Sequence, residues 1–279
     1  MNIITHNQLL STKVETMWLV EGLIKSHSIG FVAGEPKTCK SWLSLHIAQG
    51  VATGQPVLGH FRVPSPARVL FVEEEDAYET VISRLKALSA GHASPEPREG
   101  NLNFMVLGGF KADNEASLTS FIDTARRAGG ADLVIFDVLN KMHSGHDSDQ
   151  KHMTKVMRAF ERVREALDCA VLIVHHFGKG SKSKRGNQRL RGSSVLSGWS
   201  ENSLYLSKPG PMVLVEPESK FSQTENFGFL FRATGQGVEL VYGSFSQADE
   251  ARRASPLLAW RDKNRKRELY KKKHHVGGR

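Results

Sequence analysis

Short apolar runs alternate along this chain with longer segments whose apolar residues recur every three or four positions. The runs at 28–33, 68–72, 103–107, 132–138 and 170–175 predict buried strands. The segments 41–52, 78–90, 117–127 and 152–167 predict helices. The clearest is 152–167, where Met153, Val156, Met157, Phe160, Val163 and Leu167 fall on one face. Strand–helix alternation of this kind predicts an α/β domain with a parallel sheet and helices on both faces. Beyond residue 200 the pattern changes. Short strands at 203–206, 212–215, 227–232 and 238–241 are split by Gly, Pro and polar turns, which predicts a meander extending one sheet edge. The expected division is an N-terminal arm at 1–20, one large domain at 21–245 and a C-terminal tail at 246–279.

Charge sharpens this division. Residues 251–279 carry 11 Lys+Arg and 2 Asp+Glu, so the tail holds the whole formal surplus of +9 and the body is neutral. A dense basic tail is either a solvated appendage or an arm for nucleic-acid phosphates or a protein partner. Only two cysteines, Cys39 and Cys169, are present, which points to a reducing compartment. No apolar stretch is long enough to cross a bilayer, and no signal peptide is visible. The expectation is a cytoplasmic protein without membrane contact.

Four motifs carry chemistry. Gly34-Glu35-Pro36-Lys37-Thr38-Cys39-Lys40-Ser41 follows an apolar strand and opens a helix at Ser41 and Trp42, the context of a phosphate-binding loop. Backbone N–H groups wrap the phosphates there, Lys40 reaches the β- and γ-phosphates, and Ser41 ligates Mg²⁺. Cys39 stands where this loop carries its second glycine. Its place at a helix N-terminus predicts a depressed thiol pKa and a thiol-sensitive site.

The second motif is a strand ending in Glu73, Glu74, Glu75 and Asp76. One of these acids is expected to deprotonate the attacking water, with Glu75 the choice and Asp76 a further metal candidate. Acids that merely favour a helix N-terminus are the plainer reading. The third is the apolar strand closing on Asp137, which would hold Mg²⁺ through water. The fourth is His175-His176 at a strand end. These side chains suit a γ-phosphate sensor, polar groups at a sheet edge or, least well, metal ligands.

These pieces in this order resemble the RecA/DnaB superfamily of P-loop ATPases, and within it the RepA-like plasmid replicative helicases. The resemblance spans 18–241. It is carried by 18–22 (WLVEG), 34–41, 69–76, 135–137, 173–176 and 191–196 (RGSSVL). It implies a RecA-like core with a mostly parallel twisted sheet, extended by antiparallel strands and assembled as a homo-hexamer with ATP sites between subunits. It also implies Glu75 as catalytic carboxylate, Asp137 as the metal-holding acid and His176 in the sensor region. The loop after the fourth core strand would line a channel for single-stranded DNA. That loop, 177–192, carries Lys179, Lys182, Lys184, Arg185, Arg189 and Arg191 and no acid. Such a loop suits sequence-independent phosphate contact, or is only a solvated surface segment. The chain departs from the family where an arginine finger should follow 191–196. The stretch 198–202 (GWSEN) holds no basic residue, and Lys220 or Arg232 could supply the trans-acting charge instead.

The leading expectation is therefore an ATP- and Mg²⁺-dependent ring motor on single-stranded DNA, a helicase or translocase for a plasmid, phage or mobile element. The alternative is an ATP-switched DNA-binding, recombination, loader or regulator protein with little turnover, favoured by Cys39 and the absent finger. A small-molecule kinase fits the basic loop and the late meander poorly.

Overall fold

The computed structural model describes residues 3–12, 16–178, 190 and 195–244. The expectations for Lys179, Lys182, Lys184, Arg185, Arg189 and Arg191, and for the tail 246–279, lie outside the described residues.

A short helix, α1 (His6–Ser11), opens the described chain and was not expected. Thr5 and Gln8 close a capping box at its start, and none of its residues is buried. A hairpin of β1 (Trp18–Val20) and β2 (Ile24–Lys25) follows. It places Leu19, Val20, Leu23 and Ile24 in the core of the main domain.

Nine strands form the main sheet. In chain order they are β3 (Ile29–Gly34), β4 (Val69–Glu73), β5 (Leu102–Val106), β6 (Leu133–Asp137), β7 (Ala170–His176), β8 (Asn202–Ser207), β9 (Val213–Ser219), β10 (Phe227–Ala233) and β11 (Val238–Ser244). The spatial order is β11-β10-β9-β8-β3-β7-β6-β4-β5. From β5 to β8 all neighbours are parallel, and from β8 to β11 all are antiparallel. The expected mostly parallel sheet with an antiparallel extension is therefore present.

Helices cover both faces because each central strand is apolar on both sides, the mark of a buried parallel strand. Val32, Phe71, Ile135 and Leu172 face α2 (Lys40–Thr53) and α3 (Tyr78–His92). Phe31, Val72, Phe136 and Ile173 face α4 (Glu115–Arg127) and α5 (Gln150–Leu167). Met153, Val156, Met157, Phe160 and Val163 of α5 are buried, as their spacing predicted. Full burial of a side chain such as Phe160 contributes roughly 2 kcal/mol or more. α2 differs: it is buried on nearly all sides, so its sequence shows no polar stripe.

Some boundaries move, each for a local reason. α4 starts at Glu115, because the Asn114 side chain accepts from the Ser117 amide. β9 continues through Pro217 to Ser219. Its pairing with β10 ends at Val215, so Pro217 sits where no ladder donor is needed on that side.

Candidate functional site

The C-terminal ends of the parallel strands meet along one edge. Glu73 of β4 is in register with Asp137 of β6, Phe136 with Ile173 of β7, and His176 with Gly34 of β3. Open α/β sheets bind ligands at this edge. Thus the four motifs, far apart in sequence, stand side by side.

The loop after β3 is closed on itself. Thr38 Oγ1 donates to the Glu35 carbonyl at 2.8 Å, while Glu35, Pro36 and Lys37 face solvent. A Cβ at Gly34 would lie 2.5 Å from Thr38 Oγ1 and 2.7 Å from the Leu206 carbonyl oxygen, so only glycine fits. Lys37 and Cys39 both have φ of 66°, the left-handed region that favours glycine. Cys39 thus adopts the backbone of the glycine it replaces, at a steric cost on the order of 1 kcal/mol. Lys40 Nζ is buried and donates to the carbonyls of Gly34 (3.3 Å) and Glu35 (3.0 Å). Burial pulls its ammonium below the usual lysine range, against the nearby charges of Asp137 and Glu75. An ammonium held by carbonyls in a loop of this shape suits a phosphate.

Asp137 is fully buried, and its carboxyl accepts from the Ser41 hydroxyl. Its Oδ2 is buried without a hydrogen-bond partner. Burial pushes the Asp137 carboxyl above the usual carboxylate range. A buried acid with a spare oxygen beside a hydroxyl fits a hydrated Mg²⁺, with Ser41 and Asp137 as its holders.

The four acids at the end of β4, Glu73 to Asp76, have four different surroundings. Glu73 is 1% exposed, and its Oε1 accepts from the amides of Glu75 (2.8 Å) and Asp76 (2.9 Å). Burial, then the neighbouring Asp137, push its carboxyl up to about 8. Glu74 takes the amides of Gly109 (3.1 Å) and Phe110 (3.0 Å), and its own amide donates to the Asp137 carbonyl. Asp76 pairs with Arg84 at 2.5 Å. Glu75 is exposed, and its charge is felt at both Lys40 and Asp137. The other three carboxylates are committed to amides or a guanidinium, which leaves Glu75 to face the phosphate loop.

His176 closes β7 beside Gly34, and the next amide, Phe177 N, donates to the Gly34 carbonyl at 3.2 Å. Trp42, in the first turn of α2, meets Phe231 edge-on at 5.6 Å and lies under Arg84. The two trans-acting candidates sit far apart. Lys220 is exposed at the opposite end of the sheet, where its amide donates to the Glu201 carbonyl. It cannot reach its own Lys40. Arg232 lies at the phosphate-loop end of β10 but is ion-paired with Glu239 at 3.2 Å. Glu201, in the stretch without a basic residue, accepts from the Ile29 amide at 2.9 Å and lies 3.6 Å from Arg164.

The expectation of a depressed Cys39 thiol is corrected. Burial pushes this thiol above its usual range, and the opposing charges of Lys208, Lys40 and Arg84 do not offset it. Sequence reasoning also missed three residues. Glu73 was one of four adjacent acids with no pattern to separate them. Arg84 looked like an ordinary helix-surface charge. Lys208, just past β8, donates to Cys39 Sγ at 3.8 Å and lies over the Phe231 ring at 5.7 Å. Nothing in the sequence brings 39, 208 and 231 together.

The fold is that of a solved structure described as an ATPase domain. The match covers 74% of this chain and 82% of that one, with a TM-score of 0.56 and 15% identity. No helix among the described residues is long and apolar enough to cross a membrane. The family model described as AAA domain matches residues 4–182, which include the phosphate loop, the four acids 73–76, Asp137 and His176. The chain belongs to the AAA domain family and carries its P-loop ATPase domain on a RecA-like fold.

Proposed function

We propose that this protein hydrolyses ATP as a ring-forming motor on single-stranded DNA, a helicase or translocase serving a plasmid, phage or other mobile element. The observation that carries the reading is the meeting of Lys40, Ser41, Glu75, Asp137 and His176 at one sheet edge. Lys40 exchanges its carbonyl partners for the β- and γ-phosphates. Ser41 and Asp137 hold Mg²⁺, which when bound neutralises phosphate charge. Glu75 takes the proton of the attacking water, and His176 hydrogen-bonds the γ-phosphate region. Asp76 holds Arg84 rather than the metal.

Lys220 stands too far from its own phosphate loop to serve it, so its charge suits the site of a neighbouring copy. The homo-hexamer, the DNA contacts of 177–192 and the replication or recombination partner at the basic tail complete this reading. The motor reading is tested by ATP-dependent unwinding of a forked duplex. Wild type unwinds and Lys40→Ala does not. One observation favours a second reading. The strained Cys39 backbone suits an ATP-switched DNA-binding protein with little turnover, for which ATP drives assembly on DNA without unwinding.

A further inference from the structure

The acids 73–76 form a small ordered unit whose centre is Glu73. This side chain is the last residue of β4, is 1% exposed, and points among buried groups instead of toward solvent. One of its oxygens, Oε1, accepts two consecutive backbone amides, Glu75 N at 2.8 Å and Asp76 N at 2.9 Å. A single acceptor shared by two successive N–H groups fixes a tight turn, as a short polar side chain does in an Asx turn. The rest of the unit is tied independently. Glu74 N donates to the Asp137 carbonyl at 2.7 Å, the Glu74 carboxylate takes Gly109 N and Phe110 N, and Asp76 pairs with Arg84. Every residue flanking Glu75 is therefore anchored, and the Glu75 amide itself is anchored by Glu73. The Glu75 side chain is what remains exposed at the phosphate-loop edge.

We infer that Glu73 is a positioning residue for hydrolysis: its buried Oε1, by accepting the Glu75 and Asp76 amides, sets where the Glu75 carboxylate stands relative to Lys40 and Asp137. This rests on the reading of Glu75 as the group that takes the proton from water. It adds that the acceptor geometry of Glu73, and not its acidity, is what the reaction needs. A misplacement of about 1 Å at a reacting group costs on the order of 100-fold in rate, so a turn held by one oxygen is a sensitive element. Sequence alone gives Glu73 no special standing among four neighbouring acids.

Two conservative variants separate the reach of the acceptor from the acidity of the carboxyl. Glu73→Gln keeps an oxygen at the same reach and removes the ionisable carboxyl. Glu73→Asp keeps the carboxyl and withdraws its oxygens by about 1.5 Å, one C–C bond. Steady-state ATP hydrolysis is measured on the full chain with both, beside Glu75→Gln, together with ATP affinity and thermal midpoints. The expected result is Glu73→Gln within about threefold of wild-type kcat, and Glu73→Asp reduced roughly 10- to 100-fold. KM and ATP affinity stay within about twofold in both. A merely structural role would lower the thermal midpoint and ATP affinity along with turnover. Glu73→Asp turning over like wild type overturns the inference, and so does Glu73→Gln falling as far as Glu73→Asp. If Glu75→Gln itself hydrolyses ATP at the wild-type rate, the reading of Glu75 fails and the positioning role fails with it. If Glu75→Gln is inactive while Glu73→Asp is active, only the positioning role fails.

Discussion

Glu73 and Asp137 stand in register at the ends of adjacent parallel strands, each 1% exposed, so two carboxyls share one buried corner of the sheet. Burial raises both carboxyls above the usual carboxylate range; the charge of Asp137 adds to the rise at Glu73, and the charges of Glu75 and Asp76 add to it at Asp137. An acid whose folded pKa exceeds its unfolded value gives stability that is complete below the unfolded pKa and lost as pH rises through the folded one. For Glu73 that window runs from its ordinary value of 4.5 to about 8. Ligand-free protein should therefore lose on the order of 1 kcal/mol between pH 6.5 and 8.5. Glu73→Gln should flatten that slope. Chemical denaturation at the two pH values checks it, and an equal slope in wild type and variant would count against the buried pair.

His46 predicts the opposite slope at acid pH. It is buried, its Nε2 accepts from the Leu58 amide at 2.8 Å, and it stacks on His92 with centroids 4.3 Å apart. Burial, with His92 beside it, lowers its pKa to about 3. The unfolded chain therefore binds the extra proton between pH 6.5 and about 3, and stability falls as pH drops through that window. By pH 5 the loss should reach about 2 kcal/mol. In His46→Gln the acid slope should shrink, measured by denaturant unfolding from pH 7 to 5.

Cys39→Gly should relieve the left-handed strain and stabilise the protein by about 1 kcal/mol, less the entropy glycine loses on folding. ATP should bind at least as tightly. Because burial raises the Cys39 thiol, alkylation at pH 7.5 should be slower than that of a free cysteine in solution. Rates faster than the free thiol would show that the helix terminus outweighs burial.

The proposal that Lys220 serves the site of a neighbouring copy is tested by mixing. Lys220→Ala should bind ATP normally and turn over at least about 10-fold slower. Lys40→Ala should not turn over. Mixed oligomers of the two should recover activity, because an intact phosphate loop then meets an intact Lys220 at some interfaces. Activity of the mixture no higher than the sum of its parts would remove Lys220 from the reaction.

Much of this architecture is legible in the sequence. The buried strands β3, β4, β6 and β7 are short apolar runs ending in polar chemistry, and α5 keeps a regular 3–4 spacing. The phosphate loop announces itself because strand, loop and helix agree around Lys40 and Ser41. Long-range packing hides the rest. The Glu73–Asp137 corner needs the β4–β6 register, which no local pattern encodes. Lys208 meets Cys39 only because β8 lies beside β3. The extension of β9 through Pro217 depends on where β10 stops pairing. The direction of the Cys39 shift depends on how deeply its loop is buried, and a helix-terminus rule applied to sequence does not contain that depth.

Steady-state ATP hydrolysis, with and without single-stranded DNA, on wild type and Lys40→Ala bears most directly on the motor reading. Turnover that rises at least about 10-fold with DNA in wild type, and is absent in Lys40→Ala, is the expected result. Tight ATP binding with no hydrolysis in either condition would contradict it, and would leave the nucleotide-switched binding protein as the better description.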